Sequence, residues 1–86
     1  MPLTQLQADL WTLARERIAQ GQLPREADAR MWGGHGTGQP CTLCDNPIRR
    51  DEVEFEVEEH RDGAVHTFRF HRICQSVWQL ECARGD

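Results

Sequence analysis

Leu3, Leu6, Leu10, Leu13, Ala14 and Ile18 recur at steps of three and four between polar residues, which predicts an amphipathic helix over 4–20. Thr4 followed by Gln7 reads as a capping box, and Gly21 with Pro24 supplies the stop. Residues 21–40 read mostly as loop, with a helical turn or two over 24–30 and a Gly-rich loop over 33–38 that leaves His35 solvated. From 52 to 58 the pattern changes to strict alternation. Val53, Phe55 and Val57 fall on one face of a strand, and Glu52, Glu54, Glu56 and Glu58 on the other. Asp62-Gly63 is a two-residue hairpin turn, and 64–70 is the returning strand. That turn length sets Val57 opposite Phe68, Phe55 opposite Phe70, Glu56 opposite Arg69 and Glu59 opposite His66. A slip of one residue would put both Phe side chains against Glu. Residues 71–83 return to helical spacing, with one stripe of Ile73, Val77 and Leu80 beside another of Cys74, Trp78 and Cys82.

These elements make an α+β domain spanning 1–86, and composition says what holds it together. Leu, Ile, Val and Phe number 17 of 86 residues. About one fifth is near the level at which a charged chain fails to bury enough surface to fold, so a staple is expected. No apolar run approaches the roughly 20 residues of a membrane span. Gln5, Asp9, Arg15 and Glu16 interrupt the first helix where a secretory segment would be apolar, so a cytoplasmic setting with reduced thiols is expected.

Cys41-Thr42-Leu43-Cys44 and His71-Arg72-Ile73-Cys74 carry the candidate staple. Two residues between cysteines let a tight turn aim both sulfurs at one point. Positions three apart at the start of a helix put an imidazole and a thiol on one face, and the hairpin between brings the two halves together. Three thiolates and an imidazole with tetrahedral reach favour one zinc ion per chain, with a redox pair or an iron site as weaker readings. All four positions are filled by protein, which makes such a site structural rather than catalytic. Cys82 lies roughly 12 Å along the helix from Cys74, too far to share that ion, and reads as a packed thiol. Trp78 reads as core beside the metal. Trp11 or Trp32, if exposed, would mark an interaction surface.

The segment 40–78 resembles the treble-clef zinc finger, in which a zinc knuckle, a β-hairpin and a helix supply the ligands. Its wording, PCTLCDNPI, a Glu-rich strand and FHRICQSVW, is similar to the first zinc module of LIM domains and to the fingers of poly(ADP-ribose) polymerases. The resemblance implies a treble-clef-like domain with an added N-terminal helix, and ligands at Cys41, Cys44, His71 and Cys74. Polymerase-type fingers grip DNA with basic and stacking residues where this hairpin carries Glu, so the resemblance carries fold further than function.

Net charge is −4, and the acids concentrate beyond residue 50. That balance favours a protein partner over nucleic acid. The leading expectation is a binding adaptor or regulatory module that presents the row Glu52, Glu54, Glu56 and Glu58 to a basic surface. A nucleic-acid reader would need Arg25, Arg30, Arg49, Arg50 and Arg72 to converge near Trp32. A nuclease would rest on His66 beside Glu59, and an enzyme is the least expected class. The sequence leaves the oligomeric state open.

Overall fold

The computed structural model describes residues 5–25 and 30–84, with the side chains of the first helix described from Asp9 onward. Two helices and a three-stranded antiparallel sheet follow in the order α1 (Gln5–Ala19), β1 (Arg30–His35), β2 (Val53–Arg61), β3 (Ala64–His71) and α2 (Arg72–Arg84), and the sheet order is β1-β2-β3. The Thr4–Gln7 capping box lies outside the described residues. The stop of α1 is as expected: Gly21 takes φ 76°. Its N–H donates to the carbonyl of Ile18 at 3.1 Å and that of Gln22 to Arg17 at 2.8 Å, the paired bonds that close a helix on a left-handed glycine.

The hairpin has the expected register, with Val57 opposite Phe68, Phe55 opposite Phe70, Glu56 opposite Arg69 and Glu59 opposite His66. Asp62 and Gly63 have φ 51° and 79°, the doubly positive turn that matches strand twist. Val57, Phe68 and Phe70 are buried with Leu10 and Ala14 of α1, Leu23, and Val77 and Trp78 of α2. Phe70 and Trp78 stack at 5.2 Å between centroids, and Arg61 clasps the turn after α1 by donating to the carbonyls of Gly21 at 2.7 Å and Leu23 at 3.2 Å.

The reading of 21–40 as mostly loop is corrected in its middle. Residues 30–35 form β1, paired with β2 over six residues from Arg30↔Glu58 to His35↔Val53. Glycine has low strand propensity, and Gly33-Gly34 hid a strand that is held by pairing rather than by its own side chains. The helical turn read over 24–30 falls in part outside the described residues, and Arg30 already belongs to the strand. Gly36 has a packing reason to be glycine: a Cβ there would stand 1.9 Å from the carbonyl oxygen of Arg49. Its N–H donates to Glu52 at 2.9 Å and that of Gly38 to Ile48 at 2.8 Å, which laces the Gly-rich stretch to the segment entering β2.

Two further expectations change. Among the side chains of α2 the buried set is Cys74, Gln75, Val77, Trp78 and Glu81, while Ile73 and Leu80 face solvent. Glu81 lies on the same inward face, where Arg15 of α1 meets its carboxylate at 3.1 Å. The row of four solvated glutamates is also broken. Glu54 is only 3% exposed. It accepts from the Thr37 hydroxyl at 2.8 Å and its backbone N–H at 3.2 Å, and Arg69 lies 3.7 Å away.

Candidate metal centre

Residues 40–47 form a knuckle built on the backbone. Pro40 and Pro47 form an isolated bridge, the Cys41 N–H donates to Asn46 at 2.8 Å, and the Asp45 N–H returns to Cys41 at 2.9 Å. Asp45 holds φ 68°, a conformation that short polar side chains tolerate better than most. Its carboxylate takes Arg17 Nη2 at 2.8 Å, and Arg17 Nη1 donates to the carbonyl of Thr42 at 2.7 Å, so α1 fixes the knuckle from outside. Leu43 and Ile48 anchor it from inside, both fully buried. Thr42 N–H donates to the Arg69 carbonyl at 2.7 Å, and Arg69 N–H donates back to the Thr42 hydroxyl at 3.0 Å. The knuckle thereby rides on the outer edge of β3, two residues before His71.

That attachment brings all four expected ligands together. One donor atom from each of Cys41, Cys44, His71 and Cys74 lies within 4.8 Å of the others, and the group could hold one metal ion. His71 Nδ1 stands 3.4 Å from Cys44 Sγ and 4.0 Å from Cys74 Sγ. These separations are of the order of the donor–donor edges, about 3.6–3.8 Å, of a tetrahedral ion bound by sulfur and nitrogen. His71 sits at the end of β3 rather than on the helix, and Cys74 on the first turn of α2. The other ring nitrogen, Nε2, lies 3.1 Å from the carbonyl of Pro47. A carbonyl only accepts, so Nε2 carries the proton and Nδ1 presents its lone pair to the centre.

The thiols already share charge. A hydrogen bond from Cys74 holds the Cys41 thiol down to about 4, against burial that opposes ionisation. The same bond, followed by burial, pushes Cys74 up. Burial is the first cause raising Cys44. The pocket therefore stabilises one thiolate and resists a second until a cation enters.

Compared with family profiles, with curated proteins and with solved structures, the chain matches none.

Beside the centre runs an open groove of about 830 Å³, with Cys44, His71 and Cys74 on its wall, Leu10, Pro47, Val53 and Ile73 as its apolar lining and Arg49, Arg72 and Glu52 among its polar residues. Sequence reasoning missed it because Val53 and Ile73 sit on apolar stripes that the pattern assigns to the core. The five arginines of the nucleic-acid reading do not converge. Arg49 and Arg72 meet at the groove, Arg25 lines a separate 220 Å³ cavity with Glu81 and Cys82, and Arg30 stands over Trp32 at 5.4 Å at the start of β1. Trp32 is the exposed tryptophan, while Trp11 packs on the core. His66 is exposed opposite Glu59, whose carboxylate is taken by Arg61. No helix of the described residues is long and apolar enough to cross a membrane.

Proposed function

We propose that the protein is a zinc-stapled, treble-clef-like binding module, in which Cys41, Cys44, His71 and Cys74 hold one structural Zn²⁺ and the fold around it docks a protein. The observation that carries the metal reading is the closed cluster of four donors within 4.8 Å, with His71 oriented by Pro47. Its parts follow the treble-clef order: knuckle, hairpin β2–β3, and a helix whose first turn adds the last ligand. Borderline-soft thiolate and imidazole donors in tetrahedral reach select zinc over calcium or magnesium. Such a site contributes on the order of 10 kcal/mol to folding, as much as a small domain's whole stability. With no open coordination position, the ion serves structure, and the module acts by binding rather than catalysis.

The docking surface we assign is the groove beside the ion rather than the glutamate row, since Glu54 is enclosed. Val53 and Ile73 are each more than two-fifths exposed there. Arg72 has no carboxylate partner among the described residues, whereas Arg49 is paired with Asp51 at 2.9 Å. The fitting occupant is a protein segment bringing aliphatic side chains to Val53 and Ile73 and a carboxylate to Arg72.

Elemental analysis of purified protein should give one zinc per chain, and chelation should collapse the circular dichroism and exchange protection. Unchanged spectra after complete metal removal would refute the structural role. Peptides of acidic-aliphatic composition should bind the metal-loaded protein and lose affinity on Ile73→Asp with zinc content unchanged. Salt-sensitive capture of single-stranded DNA instead would favour the nucleic-acid reading.

A further inference from the structure

β1 is an edge strand, exposed at every one of its six positions, with Met31 42% and Trp32 44% exposed. Natural edge strands are commonly blunted by a proline, a bulge or an inward charge. β1 has none of these between Arg30 and His35, and its pairing with β2 runs unbroken. The opposite edge of the sheet differs, because Thr42 of the knuckle already bonds to β3 there.

The direction of the free backbone groups is fixed by one bond. Gly36 N–H donates inward to Glu52, so even-numbered residues of β1 direct their N–H and C=O to β2, and Met31, Gly33 and His35 direct theirs outward. These outward groups have no partner among the described residues.

We propose that β1 pairs antiparallel with β1 of a second copy of this chain, about a two-fold axis at Gly33, to form a closed dimer with a continuous six-stranded sheet. A two-fold axis perpendicular to the sheet keeps each face on one side, so opposed residues must share parity. Centring on Gly33 meets that requirement. Met31 then faces His35 of the second copy, Gly33 faces Gly33, and these odd-numbered pairs are the ones whose backbone groups point outward. The even-numbered pairs bring Trp32 opposite Gly34 twice. Nothing lies within 4 Å of the position a Gly34 Cβ would take, so each glycine leaves room for the indole that crosses from the other copy. A large aromatic across an edge glycine is a recognised stabilising pair. The strand carries no acid, and Arg30, its one arginine, is already placed on Trp32. Centring on Trp32 instead would set the two indoles directly opposite each other and leave Gly34 facing Arg30. The complementarity of Met-Trp-Gly-Gly-His with itself is the reason a second copy fits better than an arbitrary extended peptide.

The test is the mass of the zinc-loaded full chain by sedimentation equilibrium from micromolar to millimolar concentration, beside two variants. Gly33→Pro removes an outward N–H without touching the bonds to β2, and Gly34→Lys fills the space reserved for the indole. The expected result is a concentration-dependent dimer for the native chain, with association at least tenfold weaker in both variants while zinc content and circular dichroism stay native. Cross-copy contacts between Trp32 and Gly34 Hα protons in a mixed isotope-labelled sample would locate the register. A native chain that stays monomeric at millimolar concentration, or a dimer that survives both variants, would overturn the proposal. Retained zinc in the variants keeps this outcome separate from that of the metal centre.

Discussion

The indole N–H of Trp78 donates to the carbonyl of Pro24 at 2.8 Å, and the Cys82 thiol lies 3.5 Å from the same oxygen. One carbonyl after α1 thus receives two donors from successive turns of α2, joining the helices at a point the metal does not reach. Trp78 is 1% exposed, so its bond is made out of water. Trp78→Phe keeps one ring against Phe70 but removes both the indole N–H and the volume of the second ring. We expect a loss of about 1–3 kcal/mol, from the lost hydrogen bond and the cavity left behind, measured by urea unfolding of the zinc-loaded protein.

Cys82 should make stability fall at high pH. Burial, followed by the charges of Glu81 and Glu59, raises its thiol from 9.0 to about 11. The folded state therefore holds a proton that the unfolded state releases first. The contribution is complete below the unfolded value and is lost as pH rises through about 11. Thiolate absorbance should show one group titrating there, and Cys82→Ala should flatten the fall in stability above pH 9.0.

Glu54 separates structure from surface among the strand glutamates. Its carboxylate closes the Gly-rich stretch onto β2 through Thr37 and faces Arg69. Glu54→Ala leaves the Thr37 hydroxyl and Arg69 without that partner and should cost about 1–3 kcal/mol. Exchange of the Gly36 and Gly38 amides should accelerate with it. Glu58→Gln on the same strand should stay within about 0.5 kcal/mol.

The hairpin and the ligand set were legible in sequence because each rests on local rules: alternation plus an Asp-Gly turn fixes register, and two short spacings fix four ligands. β1 was illegible for the opposite reason. Its pairing with β2 bridges residues as far apart as Arg30 and Glu58, and Gly33-Gly34 carries no side-chain pattern to announce it. Burial of Glu54 follows from that unseen strand and the turn beyond it. Ile73 and Leu80 face outward because the stripe of Cys74 and Trp78 turns in toward the other ligands and Phe70, and helical spacing alone does not say which of two apolar stripes is buried.

Gly36 tests whether the Gly-rich stretch is structural. An added methyl would collide with the Arg49 and Ile48 carbonyls at 1.9 and 2.7 Å, both backbone atoms that cannot rotate away. Gly36→Ala should displace the segment that follows the knuckle, cost more than about 2 kcal/mol and weaken metal retention. Gly34→Ala, with open space around its Cβ, should leave both stability and metal content near native. Equal tolerance at the two positions would contradict the close approach.

Metal loading should release protons in a number set by the thiol cluster. In the folded cluster the hydrogen bond from Cys74 lowers Cys41, while Cys74 and Cys44 are both raised. Metal removal takes that cluster apart, so in the metal-free chain all three thiols return to their ordinary range and hold their protons at neutral pH. An entering Zn²⁺ ionises each of them, so about three thiol protons should leave per ion bound at neutral pH. Calorimetry in buffers of different ionisation enthalpy counts them directly. Apparent affinity should then weaken by about 1000-fold per pH unit on acidification through the neutral range. His71→Ala removes a ligand but no thiol, so it should lower affinity by at least about 100-fold while leaving the proton count near three. A count near two in the native chain would mean that the metal-free protein keeps the folded cluster with one thiol already ionised, which would contradict the collapse expected on chelation.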